Sequence, residues 1–417
     1  MKTIKYIASL LAGITLFSCD NFEDINTNPD AVTKVSPKLL ATGAIVGLMK
    51  PSKGKDFIYN QMTCKYIGWS EALEGTQYNN FGRESFSGYT SLTNYKLMAE
   101  LTDKDETMNE DKRNAYKGLA LFLKAYRLFE YTLNVGDIPY EGILEGKEGN
   151  LTVAYNTQED VFKFLLNDLD KAHEYFRNAN QTTFDGDPIF GGKVEQWHRV
   201  SNALELRVLI NLSKKINSTD INIKSKFNEI LDRNLLLRSN ADNLQITFST
   251  KEGQLYPFNE SLHSYKQYVM ISGLVIDALK ANEDYRLFYY ANPSEGKLNS
   301  GSQENDWDAY IGIDPSDPID ELKLIADKTK EFCQFNNRYT SYEPGEPYIR
   351  IGYAEQNFIL AEAALRTWIT GDAADASSTN ISKTRYPAKW KFRGGSQKDH
   401  NSEISGQFHA VTLSSLL

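Results

Sequence analysis

This chain is rich in aromatic rings, whereas histidine, the residue that most often transfers protons, is scarce. There are 24 tyrosines, 21 phenylalanines and 5 tryptophans but only 5 histidines among 417 residues. The serine-hydrolase pattern G-x-S-x-G and the zinc-protease pattern H-E-x-x-H are both absent from the sequence. A pair of carboxylates is enough to hydrolyse a glycosidic bond, and sequence spacing does not exclude such a pair.

Two further stretches contain the residue types of ligand sites without the complete patterns. The stretch GDPIFGGKV at 186–194 has the glycines and lysine of a phosphate-binding loop, but no Ser or Thr follows Lys193 and no apolar strand precedes it. The acidic stretch DPSDPIDE at 314–321 lacks the calcium-binding pattern of an EF-hand. Cys64 and Cys333 either pair or stay free, and neither has zinc-ligand spacing. We expect no cofactor and no metal ion.

Cys19 differs from the other two cysteines in its sequence context. Leu16-Phe17-Ser18-Cys19 has the pattern of a lipobox. Lys2 and Lys5 precede an apolar run of the length of a signal-peptide core, too short to span a bilayer. We predict a lipoprotein signal peptide at 1–18, lipidation of Cys19, and an acidic tether at 19–37. An ordinary cleaved secretory signal with a chance cysteine is the alternative. Acyl chains on Cys19 would hold a soluble domain on a membrane.

The overall charge limits the class of partner. The formal net charge is −9, and 41% of residues are hydrophobic. An acidic surface argues against nucleic acid and against binding anionic lipid by charge. No other apolar run approaches the length of a membrane-spanning helix.

The elements that must position any site are predicted to be helices. Apolar residues recur at helical spacing in four stretches, which run over 119–133, 162–176, 197–212 and 351–368. Thr157 and Asp160 form a capping-box pattern before the second helix. Only LQITF at 244–248 is a strand candidate. Long segments rich in aromatic, Gly and Asn residues lie between the helices, at 66–95, 134–156, 181–194 and 284–318.

Several motifs in the right order resemble one family. TLNVGDIPYEGILEGKEGNLTVAYNTQEDVFKFLLNDLDKA at 132–172 resembles the signature of SusD/RagB-like nutrient-binding outer-membrane lipoproteins. The stretches WHRVSNALELRVLINLSK at 197–214 and YAEQNFILAEAALRTWITGDA at 353–373 resemble two later helices of that family. The resemblance covers residues 19 to 373. Within the signature, we expect Gly136 to end a helix in the left-handed conformation and Pro139 to prevent its continuation.

The resemblance implies a mostly α fold, with a tetratricopeptide-like helical scaffold and long ligand-binding loops at 38–373. It further implies a non-catalytic lipoprotein, exposed at the cell surface on the outer membrane, that binds a glycan or another oligomeric nutrient. Such a protein delivers its ligand to a TonB-dependent (SusC-like) transporter. The alternatives are a peptide-binding member of the same family and a surface adhesin or structural protein.

Ligand residues are chosen by composition, because aromatic planes cover the apolar faces of sugars and polar side chains satisfy their hydroxyl groups. Two loop regions have this mixture, at 68–86 and 284–310. A buried position is the alternative for Trp69. The predicted ligand-binding residues are Trp69, Tyr78, Asn79, Tyr289, Tyr290, Trp307 and Tyr310.

The last segment, 374–417, differs from the rest of the chain. It loses helical periodicity and becomes basic in an otherwise acidic protein. The family's chains normally continue with a further helix at this point. We therefore expect an atypical tail that results from a frameshift or early end, with the C-terminal part of the fold missing or altered.

Overall fold

The computed structural model describes residues 35–369, apart from residues 73, 84, 180–181, 218–219 and 342–343. The predicted signal peptide, Cys19, the tether up to residue 34 and the tail at 374–417 lie outside the described residues. The first described helix begins at Pro37, where the side chain of Ser36 accepts a hydrogen bond from the Leu39 amide. Proline suits the first turn of a helix because its missing N–H has no partner there.

The predicted mostly α fold is confirmed, and long helices form one half of the molecule. Helices are numbered in chain order, and the short helix α2 (Tyr59–Thr63) belongs to the other half, where Met62 lies in a small apolar cluster. The long helices are α1 (Pro37–Met49), α3 (Thr90–Lys104), α4 (Glu110–Val135), α5 (Gln158–Asn178), α6 (Val194–Asn211) and α7 (Ile223–Asp232). A last described helix, named α12 (Tyr353–Leu365), joins them. Helix α4 packs against α3 and α5, α5 packs against α6, and α6 packs against α12.

Three of the four predicted helices coincide closely with α4, α5 and α6. The predicted cap of α5 is also present, since the Thr157 hydroxyl accepts a hydrogen bond from the Asp160 amide at 3.2 Å. The fourth prediction is too long, because Ile351 ends a strand and Trp368 follows the end of α12. Leu133 was expected on the buried face of α4, but it is 49% exposed near the end of that helix.

The helices enclose one large apolar core. It contains the predicted helix-face residues Leu119, Phe122, Leu165, Trp197 and Leu204, all buried. Close approach of α4 and α5 depends on Gly118, because a Cβ atom there would lie 2.7 Å from the Phe176 ring. Helical spacing of apolar residues therefore leads directly to the packing of this half.

The other half is built from loops and short elements. Its helices are α8 (Gly273–Ala281), α9 (Leu287–Tyr290), α10 (Glu295–Asn299) and α11 (Ile319–Leu324). Strand β1 (Ile67–Trp69) pairs antiparallel with β3 (Val269–Ile271), and β2 (Leu244–Ile246) pairs antiparallel with β4 (Tyr348–Ile351). The strand candidate at 244–248 is thus a strand with shorter bounds. Three small apolar clusters replace the single large core of the helical half.

The segment between α4 and α5 has mainly a structural role. Gly136 has φ +82° and ψ −113°, so its φ is positive as expected but its conformation is not the left-handed helical one. The Asp137 carboxylate accepts a hydrogen bond from the Gln158 amide at 2.8 Å. Ile138 then pairs with Asn156 in an isolated antiparallel bridge. The motif therefore ends α4 and fixes the start of α5.

The loop at 186–194 shows why its resemblance to a phosphate loop is superficial. The carboxylate of Asp187 accepts hydrogen bonds from the amides of Ile189, Phe190 and Gly192 and from the Trp197 indole. Backbone N–H groups are what such a loop would offer to a phosphate. Here a carboxylate of the chain itself already binds them.

Candidate functional site

Three aromatic rings meet at the surface of the loop half, and we call them the late-loop cluster: Tyr285, Phe288 and Trp307. The Trp307 ring lies edge-on to Phe288, with centroids 4.8 Å apart, and edge-on to Tyr285, with centroids 5.5 Å apart. Tyr285 is 66% exposed, and Trp307 and Phe288 are partly exposed. The cluster therefore offers aromatic surface to a ligand.

The backbone around the cluster is held by side-chain hydrogen bonds. The Arg286 guanidinium donates to both carboxylate oxygens of Asp284, at 2.9 and 2.8 Å. This pair spans Tyr285, whose ring is exposed. The Tyr310 hydroxyl donates to the Glu304 carbonyl at 3.1 Å, and Lys280 Nζ donates to the Tyr310 carbonyl at 3.2 Å. These bonds fix both loops that carry the rings.

Beside Trp307 lies an open depression of ≈ 550 Å³. Its lining is mostly polar and consists of Ser300, Gly301, Ser302, Asn305, Asp306, Trp307 and Asp308. The Asp306 carboxylate accepts a hydrogen bond from the Gln303 amide at 2.7 Å, and the Asp308 side chain is 95% exposed. One aromatic wall and several hydroxyl, amide and carboxylate groups thus surround one space.

Tyr310, another predicted residue of this loop, packs against the late-loop cluster. Tyr310 is only 4% exposed and packs edge-on beneath Phe288, with centroids 5.0 Å apart. Burial raises the pKa of its hydroxyl, so Tyr310 remains a neutral hydrogen-bond donor. Of the predicted residues in this loop, Trp307 is the one that lines the depression.

The Tyr289 and Tyr290 rings take part in internal contacts. The guanidinium carbon of Arg338 lies 3.2 Å from the Tyr289 ring centroid, and the Tyr289 hydroxyl donates to Glu346 at 2.6 Å. Tyr290 lies edge-on to Tyr289, with centroids 5.6 Å apart. One face of the Tyr289 ring is therefore already covered by a cation.

The early loop does not present Trp69 as expected. Its side chain is 0% exposed and packs against Tyr265 and Tyr268, with centroids 5.5 and 5.4 Å away. Trp69 ends strand β1, whose pairing with β3 places the ring inside the second apolar cluster. A ring without an exposed face cannot stack on a sugar, so Trp69 belongs to the core and is excluded from the site.

Tyr78 and Asn79 lie at a turn that is tied to a distant loop. The Tyr78 hydroxyl donates to the Asp317 carbonyl at 2.8 Å, and the Gln77 side chain bridges the Trp69 amide and the Pro315 carbonyl. Asn79 is exposed and has φ +63°, a conformation that asparagine tolerates well. These contacts give both residues a local structural role.

Tyr285 is a candidate site residue that the sequence analysis did not select. It lies in the same aromatic stretch as Tyr289 and Tyr290, but nothing in the composition distinguished it from them. The opposite charges of Asp284 and Arg286 were the available signal, and in the structure they form an ion pair across Tyr285, whose ring is exposed.

Comparison with known proteins supplies the family. The family model described as SusD-like, starch-binding and associating with the outer membrane matches residues 29–395. This chain belongs to the SusD-like family. Proteins of this family are binding proteins, associated with the outer membrane, rather than enzymes. A comparison with curated proteins gives no significant match.

Solved structures agree with the SusD-like assignment. A SusD homologue from Bacteroides fragilis is 44% identical, with 83% of this chain and 71% of that chain covered and a TM-score of 0.77. A second SusD homologue from Bacteroides fragilis is 30% identical, with 84% and 73% covered and a TM-score of 0.70. A chitin-binding protein, 21% identical with 83% and 74% covered and a TM-score of 0.64, shares the fold.

The two described cysteines of this SusD-like protein, Cys64 and Cys333, are not bonded to each other. Cys64 is exposed and Cys333 is buried, and both are free thiols. Burial raises the pKa of Cys333 to about 12, so that this thiol is not ionised at neutral pH. Within the described residues, no three His, Cys, Asp or Glu side chains are grouped so as to hold a metal ion. No helix in that part of the chain is long and apolar enough to cross a membrane.

Two histidines on neighbouring helices, His173 and His198, contact each other. His198 is 6% exposed on α6, and its Nε2 lies 2.6 Å from His173 Nδ1 on α5. Burial, reinforced by the neighbouring His173, lowers the pKa of His198 to about 3. Burial also lowers the pKa of His173 to about 4. Both rings are therefore neutral at physiological pH and join two helices.

Proposed function

We propose that this protein binds a glycan at the outer surface of the cell, and that Tyr285 and Trp307 form the binding platform. The observation that carries the proposal is an exposed pair of aromatic rings beside a polar depression. The family model is described as starch-binding and one solved neighbour is a chitin-binding protein, so carbohydrates are the first ligands to test.

The physical basis is the two-sided chemistry of a sugar ring. Its C–H face is apolar and gains from covering an aromatic plane, whereas its hydroxyl groups lose water and need new hydrogen-bond partners. Trp307 and Tyr285 supply the planes. The hydroxyls of Ser300 and Ser302 and the amide of Asn305 supply partners on the rim.

The proposed role is capture without catalysis. The described residues around the depression include two carboxylates, Asp306 and Asp308, separated by one residue, and no histidine or nucleophilic cysteine. Glycoside hydrolysis needs an acid whose pKa is raised, facing a second carboxylate across the scissile bond. Asp308 is almost fully exposed, which does not provide that environment.

Calorimetric titration against soluble polysaccharides tests the binding proposal. We expect saturable binding to at least one member of a panel containing starch, xylan, mannan and chitin oligomers. Trp307→Ala and Tyr285→Ala should each weaken that binding by up to about tenfold, the upper end of the range for loss of one stacking ring.

Tyr155→Ala is the matched control, because Tyr155 is 63% exposed and packs on Phe86, away from the late-loop cluster. Equal binding by Trp307→Ala and the unmodified protein would contradict the proposed site. A folded protein that binds extended peptides but no glycan would favour the peptide-binding alternative. Absence of any saturable ligand would favour the adhesin alternative.

We also propose that Cys19 carries the lipid anchor that keeps the domain at the outer membrane. The proposal is supported by the lipobox at 16–19 and by the family's outer-membrane association. Metabolic labelling with a tagged palmitate should mark the unmodified protein and Cys64→Ser but not Cys19→Ser. Cys64 is an exposed free cysteine, so it controls for the mere loss of a thiol. Labelling of Cys19→Ser would contradict the anchor.

Delivery to a TonB-dependent, SusC-like transporter completes the proposed function, and family membership supports it. In this role the binding protein covers the transporter and passes on its ligand by a lid motion. We expect a transporter of that class to copurify with the protein from detergent-solubilised outer membranes. Its consistent absence would leave a surface binder without a transport role.

A further inference from the structure

The charged side chains that line the depression beside Trp307 are acidic. Two carboxylates, Asp306 and Asp308, belong to its lining, and none of its described lining residues is cationic. Glu304 adds a third carboxylate next to the lining in sequence, and it is exposed.

Lys280 is the basic group that contacts this edge, through a 3.6 Å ion pair with Asp308. Lys297 precedes the lining in sequence, and its ammonium group is paired with Glu331 at 3.5 Å. Because carboxylates outnumber the basic groups at this edge, we expect a negative potential in the depression.

The two lining carboxylates differ in how firmly they are held. Asp306 accepts a hydrogen bond from the Gln303 amide, which fixes its side chain on the rim. Asp308 has a side chain that is 95% exposed and a long contact with Lys280. Lys280 also donates to the Tyr310 carbonyl at 3.2 Å, so its ammonium group is shared between two acceptors. Asp308 therefore keeps most of its charge available to a ligand.

A negative potential beside an aromatic platform selects ligands by charge. A glycan that carries carboxylate or sulfate groups would be repelled when its ring stacks on Trp307, because like charges approach without compensation. A protonated amine on a sugar would be attracted by the carboxylates. The same amine also gains from the negative face of an indole ring.

We propose that Asp306 and Asp308 make this site selective for glycans that carry no acidic groups, with a preference for amino sugars whose amine is free and protonated. The inference rests on the proposed glycan-binding function and adds the charge class of the ligand. It assigns the aromatic pair to affinity and the two carboxylates to discrimination.

The test uses three hexasaccharides that share one β-1,4-linked backbone and differ in the substituent on the sugar nitrogen, and thereby in charge. The probes are the N-acetylated hexamer, which is neutral, the free-amine hexamer, which is cationic, and the N-succinylated hexamer, which is anionic. Calorimetry at pH 6 should give the highest affinity for the free-amine hexamer, a lower affinity for the N-acetyl hexamer and the lowest for the N-succinyl hexamer. Each step should be about 2- to 5-fold, the range expected for one exposed charge contact. Added salt should compress the ranking.

Variants identify the residues responsible. Asp308→Asn should bring the free-amine and N-acetyl hexamers to within about twofold of each other, and Asp308→Lys should reverse the order of the charged hexamers. Asp327→Asn is the matched control, since Asp327 is exposed and lies outside the depression. It should leave the ranking unchanged.

The outcomes separate this inference from the proposed function. If the free-amine hexamer does not bind, or binds no better than the N-acetyl hexamer, the charge selectivity is overturned. In that case a glycan from the polysaccharide panel that still depends on Trp307 and Tyr285 keeps the binding function intact. An unchanged ranking in Asp308→Lys would likewise overturn the assignment of the carboxylates.

Discussion

The helical half and the loop half of this molecule are stabilised in different ways. In the helical half, one continuous core runs between α1, α3, α4, α5, α6 and α12, and apolar residues enter it at helical spacing. In the loop half, three small clusters are joined by side-chain hydrogen bonds such as the bridge from Gln77. The second arrangement leaves rings at the surface, which a ligand site requires.

Two tryptophans show the contrast at the level of single residues. Trp197 is 0% exposed, lies edge-on to Phe122 and Phe190, and donates its indole N–H to Asp187 at 2.8 Å. Trp307 is partly exposed, lies edge-on to Phe288 and Tyr285, and lines the depression. The first ring is used for stability, and the second is available for binding.

The largest expected effect on stability comes from substitution of Trp197. Trp197→Ala should lower the free energy of unfolding by about 3–5 kcal/mol, because it leaves a cavity and removes one of the hydrogen-bond donors to the buried Asp187 carboxylate. Urea denaturation followed by circular dichroism measures this change. A loss below about 1 kcal/mol would mean that the helical core is not the main source of stability.

A smaller effect is expected for the bridge between the loops. Gln77→Leu should cost about 1–3 kcal/mol, because the Trp69 amide and the Pro315 carbonyl lose their partner while remaining buried. Hydrogen exchange should accelerate at the Trp69 amide. Gln254→Leu, at an exposed turn, is the control and should change stability little. Equal effects of both substitutions would contradict the role of the bridge.

The histidine pair should make the helical half sensitive to acid. The folded-state pKa values of His173 and His198 lie below their ordinary value of 6.5, so the unfolded chain binds more protons between about pH 4 and pH 6.5. Stability therefore falls as pH decreases through that window. In His198→Leu this fall should be reduced by about 1–3 kcal/mol. Parallel pH profiles for both proteins would contradict the assignment.

The smallest expected effect on stability is at the site itself. Trp307→Ala should lower the free energy of unfolding by about 1 kcal/mol or less, because the ring stays partly exposed in the folded protein and little of its surface is buried on folding. Thermal denaturation of Trp307→Ala beside Trp197→Ala measures both halves in one experiment. A large loss in Trp307→Ala would mean that the late-loop cluster is a structural core.

The helical half could be predicted from sequence because its signal is local. The spacing of Leu119, Phe122 and Phe129 determines the buried face of α4 before any partner is known. The cap at Thr157 is likewise contained within four residues. The excess length of the fourth predicted helix arose because Ile351 and Trp368 are buried in other contexts, a strand and the segment after α12.

The loop half could not be predicted in the same way, because burial there depends on distant pairing. Trp69 is buried by strand β3, some 200 residues later in the chain, and no local pattern contains that information. Tyr285 and Tyr289 have the same residue type four positions apart. One is exposed, and the other is covered by Arg338, from a segment nearly fifty residues away. Composition selected both loops and Trp307, but it did not distinguish the exposed Tyr285 from the covered Tyr289.

Hydrogen–deuterium exchange of the protein with and without a bound glycan tests the central claim most directly. Our account predicts slower exchange on binding within residues 284–310, around Tyr285 and Trp307, and no change within α4 and α5. Protection confined to the helices, or to the early loop at 68–86, would contradict the division of the molecule into a stabilising half and a binding half.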